Sequence, residues 1–206
     1  MTALRLMVYD ATWAGRRPTQ SLLTSSWVAG AALYRGLGRL DRSYGATSWT
    51  DALAWLAEVE RGRPISQIQY WGHGKWGRAL IGAHVLDRSA LLEEKHALHE
   101  DLKALRARLS PSSLVWLRTC ESFGTAKGHA FAASLAELLR CRVAGHTYVI
   151  GPWQSGLHSL RPGEQATWPS NEGLPEGEQS PKYAMTSSSA APHTITCLHG
   201  AVPDGW

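Results

Sequence analysis

Only three of the 206 residues are cysteine (Cys120, Cys141 and Cys197) and no two form a C-x-x-C pair. This excludes a disulfide framework and argues against a zinc knuckle or a thioredoxin-like redox site. Reduced thiols, and hence a cytoplasmic protein, are the expectation. Charge is scarce too. Asp, Glu, Lys and Arg make up 18% of the chain, below the usual value of about a quarter. The net charge of +4 is not gathered into a Lys/Arg run, so nucleic acid is not the expected partner. No apolar stretch reaches the roughly 18 residues of a membrane span, and residues 1–13 lack the apolar core and cleavage site of a signal peptide. No membrane span and no export by the usual route are expected. No solenoid-period repeat and no linker before residue 160 are visible, and the length is one domain's worth. What the chain has in excess is tryptophan, ten residues, which predicts aromatic patches that bind something.

Apolar or β-branched runs predict buried strands at 4–9, 65–71, 113–119 and 143–150, with a shorter one at 42–47. The first is followed by a turn-like stretch at 15–20, and residues 78–86 read as a further strand or hairpin arm. Apolar residues recurring at three and four predict helices over 21–37 and 126–139 and one long helix over 89–109. Another helix starts at Ser48, an N-cap with Asp51 in the capping-box position, and ends at Gly62 and Pro64. Strands alternating with helices of crossover length imply an α/β sandwich with a largely parallel sheet covered on both faces. From about residue 161 the chain is rich in Gly, Pro and Ser, with strand-like alternation only at 193–198. Residues 1–160 therefore form the predicted domain, and 161–206 an extension that wraps it or stays partly mobile.

In open parallel sheets chemistry collects beyond the carboxyl ends of the strands. Two strands here end in capable residues: the 65–71 strand runs into Gly72-His73-Gly74, and the 113–119 strand into Cys120. If these strands are neighbours, both side chains emerge at one edge. An imidazole beside a thiol draws it toward thiolate or moves protons during acyl transfer. Backbone N–H groups at Gly74 and Cys120 would supply an oxyanion site.

These residues resemble the caspase and legumain superfamily of cysteine peptidases. His73 and Cys120 lie 120 − 73 = 47 residues apart, close to the roughly 50 that separate the two in caspases. Thr119-Cys120-Glu121-Ser122 is similar to the Ala-Cys-Glu-Ser of legumains, and Gly72-His73-Gly74 to the superfamily's His-Gly. The chain also looks like the bacterial caspase-like domains of large surface proteins and CHAT-type domains. The resemblance implies a three-layer α/β sandwich and a peptide or protein substrate, without metal or organic cofactor. It implies Cys120 as nucleophile, His73 as general acid/base, and Glu121 and Ser122 beside the substrate. Where legumains have Glu and caspases Gln, two positions before the cysteine, this chain has Arg118. A guanidinium there favours a carboxylate, hence an acidic residue before the scissile bond.

Ordinary alternatives stand beside each of these readings. A free cysteine is most often a buried structural thiol, and Cys141 and Cys197 are read so. Gly72 to Gly77 formally matches G-x-G-x-x-G, but no helix follows, which rejects a dinucleotide site. His96 and His99 with Glu93 and Glu100 have metal-compatible spacing without H-E-x-x-H, and read as a solvated helix face. His146 follows the cysteine strand and is placed near the site. Trp71, Trp76, Trp153 and Trp168 are either core or the walls of an apolar cleft, with Gln154, Ser155, His158 and Arg161 as its polar contacts. At the level of function the alternatives are a non-catalytic caspase-like module with a Trp-rich binding face, and a transpeptidase or ligase using the same acyl-enzyme.

Overall fold

The computed structural model describes residues 2–12, 18–177 and 182–206. Six strands form the central sheet in the order β10-β8-β7-β3-β1-β2. These are β1 (Leu4–Asp10), β2 (Arg42–Ala46), β3 (Ile65–Trp71), β7 (Leu114–Arg118), β8 (Arg142–His146) and β10 (Leu157–Leu160). All neighbours pair parallel except β10, which runs antiparallel to β8 at the edge. A small antiparallel sheet, β4 (His73–Lys75), β5 (Arg78–Ile81) and β6 (His84–Leu86), leaves the carboxyl end of β3. Two short strands, β9 (Trp153–Gln154) and β11 (Ile195–Thr196), pair with each other.

Period-two alternation assigns the faces of the sheet. Leu4, Leu6 and Val8 of β1 and Val115 and Leu117 of β7 enter one core, which also holds Leu53, Leu102 and Phe131 from helices. Those helices are α2 (Trp49–Glu58), α3 (Arg88–Leu92), α4 (His99–Arg106) and α5 (Thr125–Leu139), packed on one another and on this face. The intervening residues Met7, Trp71 and Trp116 face the other way, where α1 (Pro18–Gly36) and the chain after residue 193 cover them. The result is α/β in three layers, as the element order predicts.

Three expectations change. Residues 89–109 are not one helix: α3 stops at an extended Glu93, and α4 begins at His99. His99 Nδ1 lies 3.3 Å from the Ala90 carbonyl and the Leu98 N–H donates to His96 Nδ1. These bonds fold the chain back so that α4 packs on both α2 and α5. His99 is thus buried rather than solvated. At α2 the Ser48 side chain accepts from the Asp51 N–H as expected, but the Asp51 carboxylate accepts from Thr47 N, one residue before the cap. Of the turn expected at 15–20, residues 15–17 lie outside the described part, as does Trp13, and α1 already begins at Pro18.

The extension beyond residue 160 packs on the domain. Trp168 joins the helix-side core, Ile195 and Val202 are buried against Trp116, and Trp206 packs on them. Among the described residues no helix is long and apolar enough to cross a membrane.

Candidate active site

β3 and β7 are parallel neighbours paired from Gln67 with Leu114 through Trp71 with Arg118. Two residues further on each strand stand His73 and Cys120, so the ladder aligns them at the same carboxyl edge. The approach is close because residue 74 is glycine. A β-carbon there would lie 2.4 Å from Thr119 Oγ1 and 2.7 Å from the Cys120 carbonyl. Both His73 and Cys120 line one cavity of about 400 Å³, within the size range of small-ligand clefts. Its apolar walls include Leu23, Trp27 and Leu33 of α1, Ile150 and Pro152 after β8, and Leu198. The His73 and Trp27 rings meet edge to face with centroids 5.6 Å apart.

Cys120 is half-buried, and its Sγ faces the Ile150 carbonyl at 4.0 Å. Burial pushes its thiol above the usual value; hydrogen bonding to Ile150 acts the other way, and the neighbouring Glu121 adds to the rise. The resting group is therefore a neutral thiol, not the preformed thiolate that an imidazole neighbour suggests.

Arg118 also lines the cavity but is only 3% exposed. Its Nη1 donates to Tyr34 Oη at 2.7 Å, Gln69 Oε1 at 3.2 Å and the His199 carbonyl at 3.0 Å. Nε and Nη2 donate to Gln154 Oε1, and Nη2 also to the Cys197 carbonyl at 3.0 Å. The guanidinium lies over Trp71 and Trp116, 4.6 and 4.2 Å from the ring centroids. All these partners are neutral, and among the described residues it makes no salt bridge. Every N–H is engaged, so the free two-pronged grip on a carboxylate expected from the sequence is absent. What remains is an uncompensated positive charge in a poorly screened place.

Four further residues assigned to the substrate lie off this cavity. Glu121, with φ of 41°, turns inward: its carboxylate pairs with Lys75 Nζ at 3.3 Å and accepts from Ala184 N at 2.5 Å, fastening the extension to β4. Ser122 is buried, and its carbonyl accepts from Gly77 N. Trp76 packs under Lys75 and beside Gly124. Trp153 points away from the cavity that its neighbour Gln154 lines, as alternation along β9 requires. Gly74 lies against the Cys120 backbone and off the wall, whereas its neighbour Gly72 lines the cavity with Gly30 and Gly151. His146 sits in the core rather than at the site, its pKa pulled down by burial to about 3. His158, also buried, stacks on Trp168 and bonds Glu172 at 2.7 Å, away from the cavity. Conversely, Trp27, Tyr34 and Cys197 line the cavity without having been singled out for it. They arrive from α1 and from the chain after β9, and no local motif marks them.

Among the described residues no group of three or more His, Cys, Asp or Glu converges as a metal site would require. No curated protein and no solved structure matches this chain. A family model described as a domain of unknown function, DUF4347, matches residues 31–158, from the last third of α1 into β10. Since that is more than half of the chain, the protein belongs to the DUF4347 family.

Proposed function

We propose that this protein is a cysteine endopeptidase of caspase-like fold, acting through His73 and Cys120 and preferring an acidic residue before the scissile bond. The observation that carries the reading is the alignment of His73 and Cys120 by the β3–β7 ladder at the wall of one apolar cavity. As Cys120 Sγ bonds to the substrate carbonyl carbon, its proton passes to His73. The imidazolium then protonates the amine as the C–N bond breaks. Water next attacks the thioester, giving a proton to His73, and the thiolate leaves and is reprotonated. Because burial favours the neutral thiol, the proton transfer belongs to the attack itself. The uncompensated charge of Arg118 supports the acidic preference through its field rather than by direct N–H donation.

Cys120→Ala is expected to abolish cleavage of a peptide library while urea unfolding stays within about 1 kcal/mol of the parent. Turnover by that variant at the parental rate would refute the mechanism. A cleavage profile without enrichment for Asp or Glu would remove the role of Arg118.

The raised thiol favours a second reading, a module that binds a peptide in the same cavity without turning it over. Its Trp-rich face finds less support, since Trp49, Trp71, Trp116 and Trp168 are buried and, among the described tryptophans, only Trp153 is exposed. Trapping a thioester with an added amine separates hydrolase, ligase and binding module in one assay.

A further inference from the structure

From Pro18 to Tyr34, α1 carries no Asp, Glu, Lys, Arg or His. Yet it covers its part of the sheet from the solvent side, where a helix ordinarily presents a charged or polar outer face. Instead Leu22 is 67%, Leu33 46% and Leu37, just beyond the helix end, 51% exposed. At about 100° per residue, Leu22, Leu23, Ser26, Gly30, Leu33 and Leu37 fall in one arc of about 100°. They form a single stripe in which the small residues Ser26 and Gly30 separate the leucines, Gly30 lying against the Trp71 ring, where a β-carbon would come within 2.9 Å.

This stripe is continuous with the candidate active site. Leu23, Ser26, Gly30 and Leu33 line the cavity that holds His73 and Cys120, and so does Leu198, itself 52% exposed. A molecule that reaches Cys120 through this mouth lies against the stripe. A second copy of the chain seated there would cover the mouth and exclude a substrate.

We infer that Leu22, Leu33 and Leu37 form an extended subsite for the substrate polypeptide, taking two or more bulky aliphatic or aromatic residues that flank the cleaved bond. The inference rests on the peptidase reading, and it adds the substrate class: an acidic residue within an apolar segment, rather than an isolated acidic residue in a polar loop.

The test uses two fluorescein-labelled decapeptides with a central Asp, flanked by Leu-Leu or by Ser-Ser. Binding to the Cys120→Ser protein is read by polarisation, and hydrolysis by the parent as kcat/KM. The Leu peptide is expected to bind about tenfold more tightly, the low end of what one methylene is worth in an enclosed apolar pocket and fitting for an open stripe. In Leu22→Gln/Leu37→Gln, whose changes are at exposed positions, that ratio falls toward about one. Its Cys120 alkylation by iodoacetamide and its circular dichroism report that the fold and thiol are intact. An unchanged ratio in the double variant, or equal binding of both peptides by the unaltered stripe, overturns the inference. So does a dimer in sedimentation that the double variant dissociates without altering peptide preference, since the stripe is then a contact between copies. If neither peptide is cleaved, the peptidase reading fails, while the binding ratio still decides whether the stripe recognises apolar polypeptide.

Discussion

On the side of α2 to α5 the sheet buries Leu, Ile, Val and Phe against helices. On the side of α1 and residues 193–206 it buries Arg118, Gln69, Gln154 and His146 among Trp71, Trp116 and Tyr34. The first face is held by volume, and any side chain of the right shape fits. The second is held by directed bonds: one guanidinium joins α1, β3, β9 and the carbonyls of residues 197 and 199. A network of this kind fixes where each wall stands without filling the space between them, which is how the cavity stays open beside a packed core.

The sharpest break of the apolar face is Phe131→Ala. With Phe131 fully buried, the loss is expected to be about 4 kcal/mol by urea unfolding, with the Cys120 alkylation rate of the folded protein unchanged. On the polar face Arg118→Met strands its acceptors and is expected to cost about 3 kcal/mol. Unlike the first variant, it should accelerate amide exchange at residues 195–202 at constant global stability margin. Equal exchange in the two variants would erase the distinction between the faces.

Acid should act on both faces, through His146 on the polar one and through His129 and Glu172 beside Trp168 on the helix side. With its folded pKa at about 3, far below the unfolded value, His146 stays neutral where the unfolded chain binds a proton. Stability therefore falls as pH drops from about 6.5 toward 3, by about 1.4 kcal/mol per unit for this one group. His129 and His193, both lowered mainly by burial, act in the same direction. Burial raises the Glu172 carboxyl, but hydrogen bonds from His158 and Thr147 outweigh it, and the lowered pKa means further loss below about pH 4.5. His146→Asn should flatten the slope between pH 6 and 4 by about one proton, measured by urea midpoints across that range. The smallest effect is expected at the exposed stripe, where Leu37→Gln should leave stability within about 0.5 kcal/mol.

Much of the fold was legible because strands and helices carry their own periods. β1, β3, β7 and α5 fall within a few residues of the apolar runs that announce them. The broken helix at 93–98 was hidden, since Leu91, Leu98, Leu102 and Leu105 keep helical spacing across the break. β10 was missed because its LHSL segment is short, and its pairing comes from β8. In the candidate site, His73 and Cys120 were readable as strand-end residues, but their neighbours were not. Trp76 adjoins the His-Gly turn, Glu121 and Ser122 follow the cysteine in the stretch that resembles legumains, and Trp153 lies in the loop after the 143–150 run. Whether a side chain near a strand end turns into the cavity or under the next layer depends on φ at Glu121 and on the phase of β9, which composition does not encode. Arg118 shows the same limit: standing two residues before Cys120 it does line the same cavity, but its five donors find partners 36 to 84 residues away in the chain.

The register of β3 with β7 brings residues 73 and 120 to one edge, and the β4–β5 hairpin holds His73 there by pairing it with Leu80. The hairpin is tied to the cysteine strand by the Gly77 N–H on the Ser122 carbonyl, but α3 and α4 pack on other helices, so the exposed connections at 93–97 and 111–112 can be lengthened, shortened or exchanged while the two side chains keep their places. Such a ladder behaves as a jig. It lets the connections beyond the hairpin be rebuilt, for specificity or for attachment to other domains, while the alignment it holds stays in place.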